Sequence, residues 1–184
     1  GDLKRTKIFG LIGIPLALLV HGYTGFILAL GKARVLWNTA IMPPIFLVSA
    51  MVSGLAMMIL VVIIKDYILQ RKEEHDPALL YNLSKLLVVS IILDIILIGI
   101  DLTVLLTSHT EAYKAAVMLL QGGFSYLFLG VEVLLGAVIP LLLLLLPFTK
   151  RWIPGLAIAS ILVMIGILAM RYIMVVGGLS IPLS

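Results

Sequence analysis

The sequence predicts an all-α integral membrane protein, one domain built as a bundle of about five transmembrane helices, and three observations predict it. Of 184 residues, 62% are hydrophobic and only 12% are charged, and the mean hydropathy is +1.25; a chain so apolar has lipid as its solvent. The apolar residues fall in long unbroken runs. In hydrocarbon every backbone polar group must be satisfied within its own segment or a closed barrel, so such runs select helices. Finally, five of the runs reach the length of about 20 residues that a hydrocarbon core demands.

In chain order the spans are residues 8–30, 42–64, 83–107, 124–148 and 153–176. Residues 1–7 are polar and basic, without a small-residue cleavage pattern, so the first span is expected to remain in the mature protein. The longest connection, residues 65–82, carries Lys65, Asp66, Arg71, Lys72, Glu73, Glu74, His75 and Asp76 and reads as a solvated loop or partner-contact face. Residues 108–123 suit a short helix lying in the membrane interface before the fourth span. Lys4, Arg5, Lys7, Lys65, Arg71, Lys72, Lys150 and Arg151 collect on one side, against Lys32, Arg34 and Lys114 on the other. Basic residues are retained on the cytoplasmic side, so the N-terminus is expected inside and the C-terminus outside. The net charge of +4 is therefore a topology signal and not a nucleic-acid footprint.

The composition also excludes chemistry. There is no cysteine, which removes disulfides, cysteine-ligated iron–sulfur clusters and thiolate metal sites. A transmembrane dihaem cytochrome needs paired axial ligands, and only His21 lies within a span, so no haem or metal is expected on this chain. No phosphate-binding loop, nucleophile elbow or zinc-protease motif is present.

Five ionisable residues fall inside the spans: His21, Asp94, Asp101, Glu132 and Arg171. An Asp or Arg at a helix centre costs about 2.5–3.5 kcal/mol on insertion scales, so each should face protein or water, and function is the default reading. Asp94 lies near the midplane and the other four in the outer half, where they can meet as a cluster. Asp94 and Asp101, seven residues apart, share one helical face about 10 Å apart along the axis, a spacing that suits a water-bridged proton relay. Ser90 precedes Asp94 by one turn, and Ser49 and Ser53 lie four apart on the second span. His21 shares a row with Gly13, Ala17 and Gly25, and Glu132 with Gly136 and Pro140, as packing faces do. Each residue also has a plainer reading. Glu132 and Arg171 can form a structural ion pair, and His21 can be a packing histidine bonded to a nearby carbonyl. No basic residue lies at the depth of Asp94, which leaves it protonated, hydrated or paired with a helix outside this sequence.

Some residues are more specific than composition: Gly13-Ile14-Pro15-Leu16-Ala17, His21-Gly22-Tyr23-Thr24-Gly25-Phe26, Arg34, Trp37-Asn38, Pro43-Pro44, Phe46, Ser49-Ala50 and Gly54. With Glu132, Gly136 and Pro140, and Arg171-Tyr172 before Gly177-Gly178, they resemble the second half of the NrfD family, the polysulfide reductase membrane subunits. The resemblance covers nearly the whole chain. It implies a multi-pass subunit of the prokaryotic inner (plasma) membrane that exchanges electrons between quinone, menaquinone being the expected type, and a ferredoxin-like iron–sulfur partner with further redox subunits. Family members are built from two four-helix bundles, so a separate chain supplying the first bundle is a further expected partner. On this reading His21 and Tyr23 donate hydrogen bonds to a quinone carbonyl and Trp37 forms an interfacial wall. Asp94, Asp101 and Glu132 carry protons, with Arg171 holding Glu132 or Asp101 ionised. The competing expectation is a structural or proton/ion-conducting subunit that docks a redox module without binding quinone.

Overall fold

The computed structural model describes residues 2–31, 36–37, 39–68, 77–146 and 153–180. The basic residues Lys32, Arg34, Arg71, Lys72, Lys150 and Arg151, and the loop residues Glu73, Glu74, His75 and Asp76, lie outside the described residues.

Among the described residues five helices are long and apolar enough to cross a membrane. We label the helices α1 (Asp2–Ala29), α2 (Met42–Ile68), α3 (Pro77–Thr107), α4 (Thr110–Gln121), α5 (Tyr126–Leu145) and α6 (Ile153–Ser180). Five membrane-long helices are the number the sequence predicts, with α2 and α3 running past the apolar stretch into polar sequence. Backbone hydrogen bonding continues there after hydrophobicity has fallen, because each added residue contributes a bond to an existing helix.

The short helix expected near residues 108–123 is α4. It buries Ala112, Ala115, Ala116 and Leu119, the i, i+3, i+4, i+7 pattern of an amphipathic helix. On its outer face Lys114 donates to Glu111 at 2.9 Å.

Four helices make the bundle. α2 packs against α3 and α6, α5 against α6, and α3 against α5, while α1 packs chiefly against α2 alone. Every side chain from Lys7 to Val20 is exposed. α1 meets the bundle at its C-terminal end, where Gly25 approaches so closely that a Cβ there would lie 2.7 Å from Pro43 Cα.

α5 and α6 make the tightest contact. A Cβ built on Gly136 collides with Gly166 Cα, and one on Gly166 with Gly136 Cα, so backbone meets backbone as small residues allow in membranes. α5 is wound with π-type i→i+5 bonds over Tyr126–Val138 and as an α-helix over Ile139–Leu145. Pro140 supplies the reason: it lacks an N–H, and its ring crowds the carbonyl of Gly136, which disfavours regular winding just before it. The wide winding keeps residues four apart nearly in line. Phe128, Glu132, Gly136, Pro140 and Leu144 are accordingly all buried.

The bundle interior holds two apolar clusters. One, at the α4 end, contains Leu36, Met42, Phe46, Leu105, Leu119, Phe128, Met170 and Ile173. The other contains Val52, Ile59, Leu87, Ile91, Ala137, Val163 and Ile167. Leu97 packs against both, and along α3 and α5 the polar residues Asp94 and Glu132 occupy the step from one cluster to the other.

Candidate functional site

α3 and α5 position the site. Asp94, Asp101 and Glu132 are 5%, 6% and 6% exposed, so three carboxyl groups lie in the interior of a membrane bundle. Asp94 and Asp101 are two turns apart on one face of α3, as their spacing requires. Glu132 approaches from α5 and lies within electrostatic reach of Asp94. It also shares a cavity of about 20 Å³ with Asp101, walled by Ile45, Leu105, Leu119, Phe128 and Met170. The three groups form a file of buried carboxyls on α3 and α5, Glu132 having Asp94 as an electrostatic neighbour and Asp101 as a neighbour in the cavity wall.

The hydrogen bonding along the file is uneven. The hydroxyl of Thr39 donates to Asp101 Oδ1 at 2.9 Å. One oxygen of Asp94 is buried with no partner, and no hydrogen bond to Glu132 is found among the described residues. A buried ionised carboxylate without a partner is costly in a low-dielectric interior. Such groups hold their place when they exchange protons, meet water or bind a cation. Ser49, Ser90 and Ser160 are also buried, and each hydroxyl donates to a carbonyl one turn back on its own helix, Phe46, Leu86 and Leu156 respectively. This spends the donor while leaving hydroxyl lone pairs within the core.

Arg171 does not join the file. Its guanidinium lies over the Phe46 ring, 5.3 Å from the centroid, a cation–π arrangement. No ion pair links it to Glu132 or Asp101 among the described residues. His21 Nδ1 lies 2.9 Å from the Ala17 carbonyl; since a carbonyl only accepts, the ring donates there and keeps Nε2 for another partner. Tyr23 is 66% exposed. Neither residue lines the carboxylate cavity.

Trp37 has a structural role that spacing does not reveal. Its indole Nε1 donates to the Met174 carbonyl at 2.7 Å, within a π-type turn over Ile173–Gly177 where the regular ladder is interrupted. Gly178 lies against the indole, and a Cβ at that position would strike Nε1. The loop before α2 is thus fastened at Trp37 to α6 and at Thr39 to Asp101. Trp37→Phe is expected to leave the Met174 carbonyl unsatisfied and to lower stability by about 1–3 kcal/mol. A thermal unfolding scan of the purified protein in detergent reads this as a lower midpoint with assembly retained.

The sequence does not announce Thr39 as a site residue, nor Phe46 as the partner of Arg171. Thr39 sits in a connection of mixed composition, and its partner is 62 residues away, so no local pattern marks it. Among the described residues no group of three or more His, Asp or Glu side chains could hold a metal ion.

Comparison with known proteins gives the family. Residues 3–182 match the family described as polysulphide reductase, NrfD. The chain is 33% identical over 175 residues to a subunit of selenate reductase from Mesobacillus selenatarsenatis, covering 94% of this chain and 39% of that protein. It is 29% identical over 171 residues to a Halobacterium salinarum protein provisionally named as a membrane subunit of dimethyl sulfoxide reductase, covering 91% of this chain and 38% of that one. The chain thus spans about two fifths of the length of these curated relatives. With the match running through all five membrane-long helices, the chain is a multi-pass membrane protein that belongs to the NrfD polysulphide reductase family.

Proposed function

We propose that this chain is the membrane anchor of a respiratory reductase complex, exchanging electrons between membrane quinone and an iron–sulfur partner subunit, with its buried carboxylates handling the accompanying protons. The observation that carries the proposal is the file Asp94–Glu132–Asp101. Quinone chemistry couples two electrons to two protons, and a reaction inside a membrane needs protonatable groups at depth to supply or remove them. The names of the relatives support a reductase partner. The exposed length of α1 from Lys7 to Val20 suits a second helical bundle lying against it, beside which His21 and Tyr23 can complete a quinone site.

A second reading has one observation in its favour. The Trp37 indole N–H is spent on the Met174 carbonyl of α6 and is not free for a ligand, which fits a structural or proton/ion-conducting subunit that docks a redox module without binding quinone itself.

Purification of the native complex in mild detergent separates the two. Mass spectrometry of the co-purifying chains, electron paramagnetic resonance for iron–sulfur signals and inhibitor-sensitive reduction of a quinone analogue are the readouts. A cluster-bearing partner with inhibitor-sensitive turnover is expected. A cluster-bearing partner whose quinone turnover survives removal of this chain supports the second reading.

A further inference from the structure

The cavity between Asp101 and Glu132 has a size and a polarity that the file does not by itself explain. It measures about 20 Å³, and a cavity of roughly 10–15 Å³ on this measure holds one water molecule. Its walls are aliphatic, aromatic and thioether apart from two carboxyl groups, one from α3 and one from α5. The Asp101 carboxyl is oriented by the Thr39 hydroxyl, which donates to Oδ1 at 2.9 Å and leaves Oδ2 for another partner. Glu132 is 6% exposed, reaches the cavity and has no hydrogen bond among the described residues.

We propose that this cavity is a binding site for a single water molecule that bridges Glu132 and Asp101, with Thr39 as the residue that positions the Asp101 end. Two carboxyl groups meet the lower bound of two to four hydrogen bonds that buried waters make. A bound metal cation fits less well, because hard cations take about six or more oxygen ligands and the remaining wall is apolar.

The water completes a relay, and this part rests on the proton-handling reading above. With Glu132 protonated and Asp101 ionised, the Glu132 O–H bond breaks and its proton joins the water oxygen, while one hydrogen of the water passes to Asp101 Oδ2. The water is regenerated, one proton has moved from Glu132 to Asp101, and one negative charge has moved from Asp101 to Glu132. Leu119 of α4 forms part of the wall, so α4 contributes an apolar side to the site.

Infrared difference spectroscopy of the intact membrane-bound complex, recorded during quinol oxidation in ordinary and oxygen-18 water, tests the site directly. The wild type should show a weakly hydrogen-bonded water O–H band that shifts with the heavy oxygen. Leu119→Phe fills the cavity from α4, and Ile98→Phe, at a further residue of the wall, fills it from α3; each should abolish that band and slow quinol turnover by about a hundredfold. Thr39→Val adds no bulk, so it should assemble even where the filled variants do not, and should shift the band by releasing Asp101. No isotope-sensitive band in the wild type, or a band unchanged in Thr39→Val and in whichever filled variant assembles, overturns the water site. A band that behaves as expected while Glu132→Gln and Asp101→Asn turn over normally leaves the water site standing and sinks the proton-handling reading.

Discussion

Glu132→Gln is expected to lower quinone-linked turnover of the complex by about a hundredfold or more, the scale of a lost positioned proton-transfer group, while the protein accumulates in the membrane at its normal level. The amide has nearly the same shape as the carboxyl, so the row formed with Phe128, Gly136 and Pro140 on α5 is kept. What the change removes is the proton, at a position that has Asp94 as an electrostatic neighbour and also lines the Asp101 cavity. Arg171 lies over Phe46, so the variant strands no cation and the loss of function is not confounded by a broken ion pair. Turnover of a quinone analogue, normalised to the complex present by immunoblot, measures the effect. Retained turnover would refute a proton role for Glu132, and loss of assembly together with turnover would make the residue structural.

The second large effect falls on folding. Gly136→Leu, or Gly166→Leu, is expected to abolish accumulation of assembled protein, because each places side-chain atoms where the other glycine's backbone already lies. Overpacking a well-packed contact costs about 1–3 kcal/mol where side chains can yield. Here the obstacle is main chain on both sides, so α5 and α6 must separate, and with them the row that carries Glu132. The measurement is the amount of full-length chain in washed membranes and its resistance to limited proteolysis. Gly54→Leu is the control, since a Cβ there meets nothing within 4 Å. Wild-type accumulation of Gly136→Leu beside that control would contradict the close α5–α6 contact.

Much of this architecture is legible in the sequence, for physical reasons that differ by element. The five spans are visible because lipid imposes a length and a composition on any helix that crosses it. Asp94 and Glu132 stand out because a carboxyl in a span is costly enough that its presence needs a reason. The seven-residue spacing of Asp94 and Asp101 places them on one face whatever the rest of the bundle does. The remainder is tertiary. That Thr39 meets Asp101, that Trp37 reaches the Met174 carbonyl and that Arg171 turns to Phe46 depend on how helices pack and not on local pattern. The sequence places His21 at the same depth as Asp101, Glu132 and Arg171. Yet α1 leans on α2 by its last turns only, which puts His21 outside the file. Depth along the membrane normal is readable from sequence; position around the bundle is not.

The measurement that tests the central claim most directly is quinol-linked electron transfer by the intact complex in proteoliposomes, comparing wild type with Asp94→Asn at equal amounts of assembled complex. One Asp94 oxygen is fully buried without a hydrogen-bond partner, and the amide counterpart preserves shape while removing the exchangeable acid. Normal assembly with turnover reduced by about a hundredfold is expected. Unchanged turnover in a fully assembled Asp94→Asn complex would contradict it.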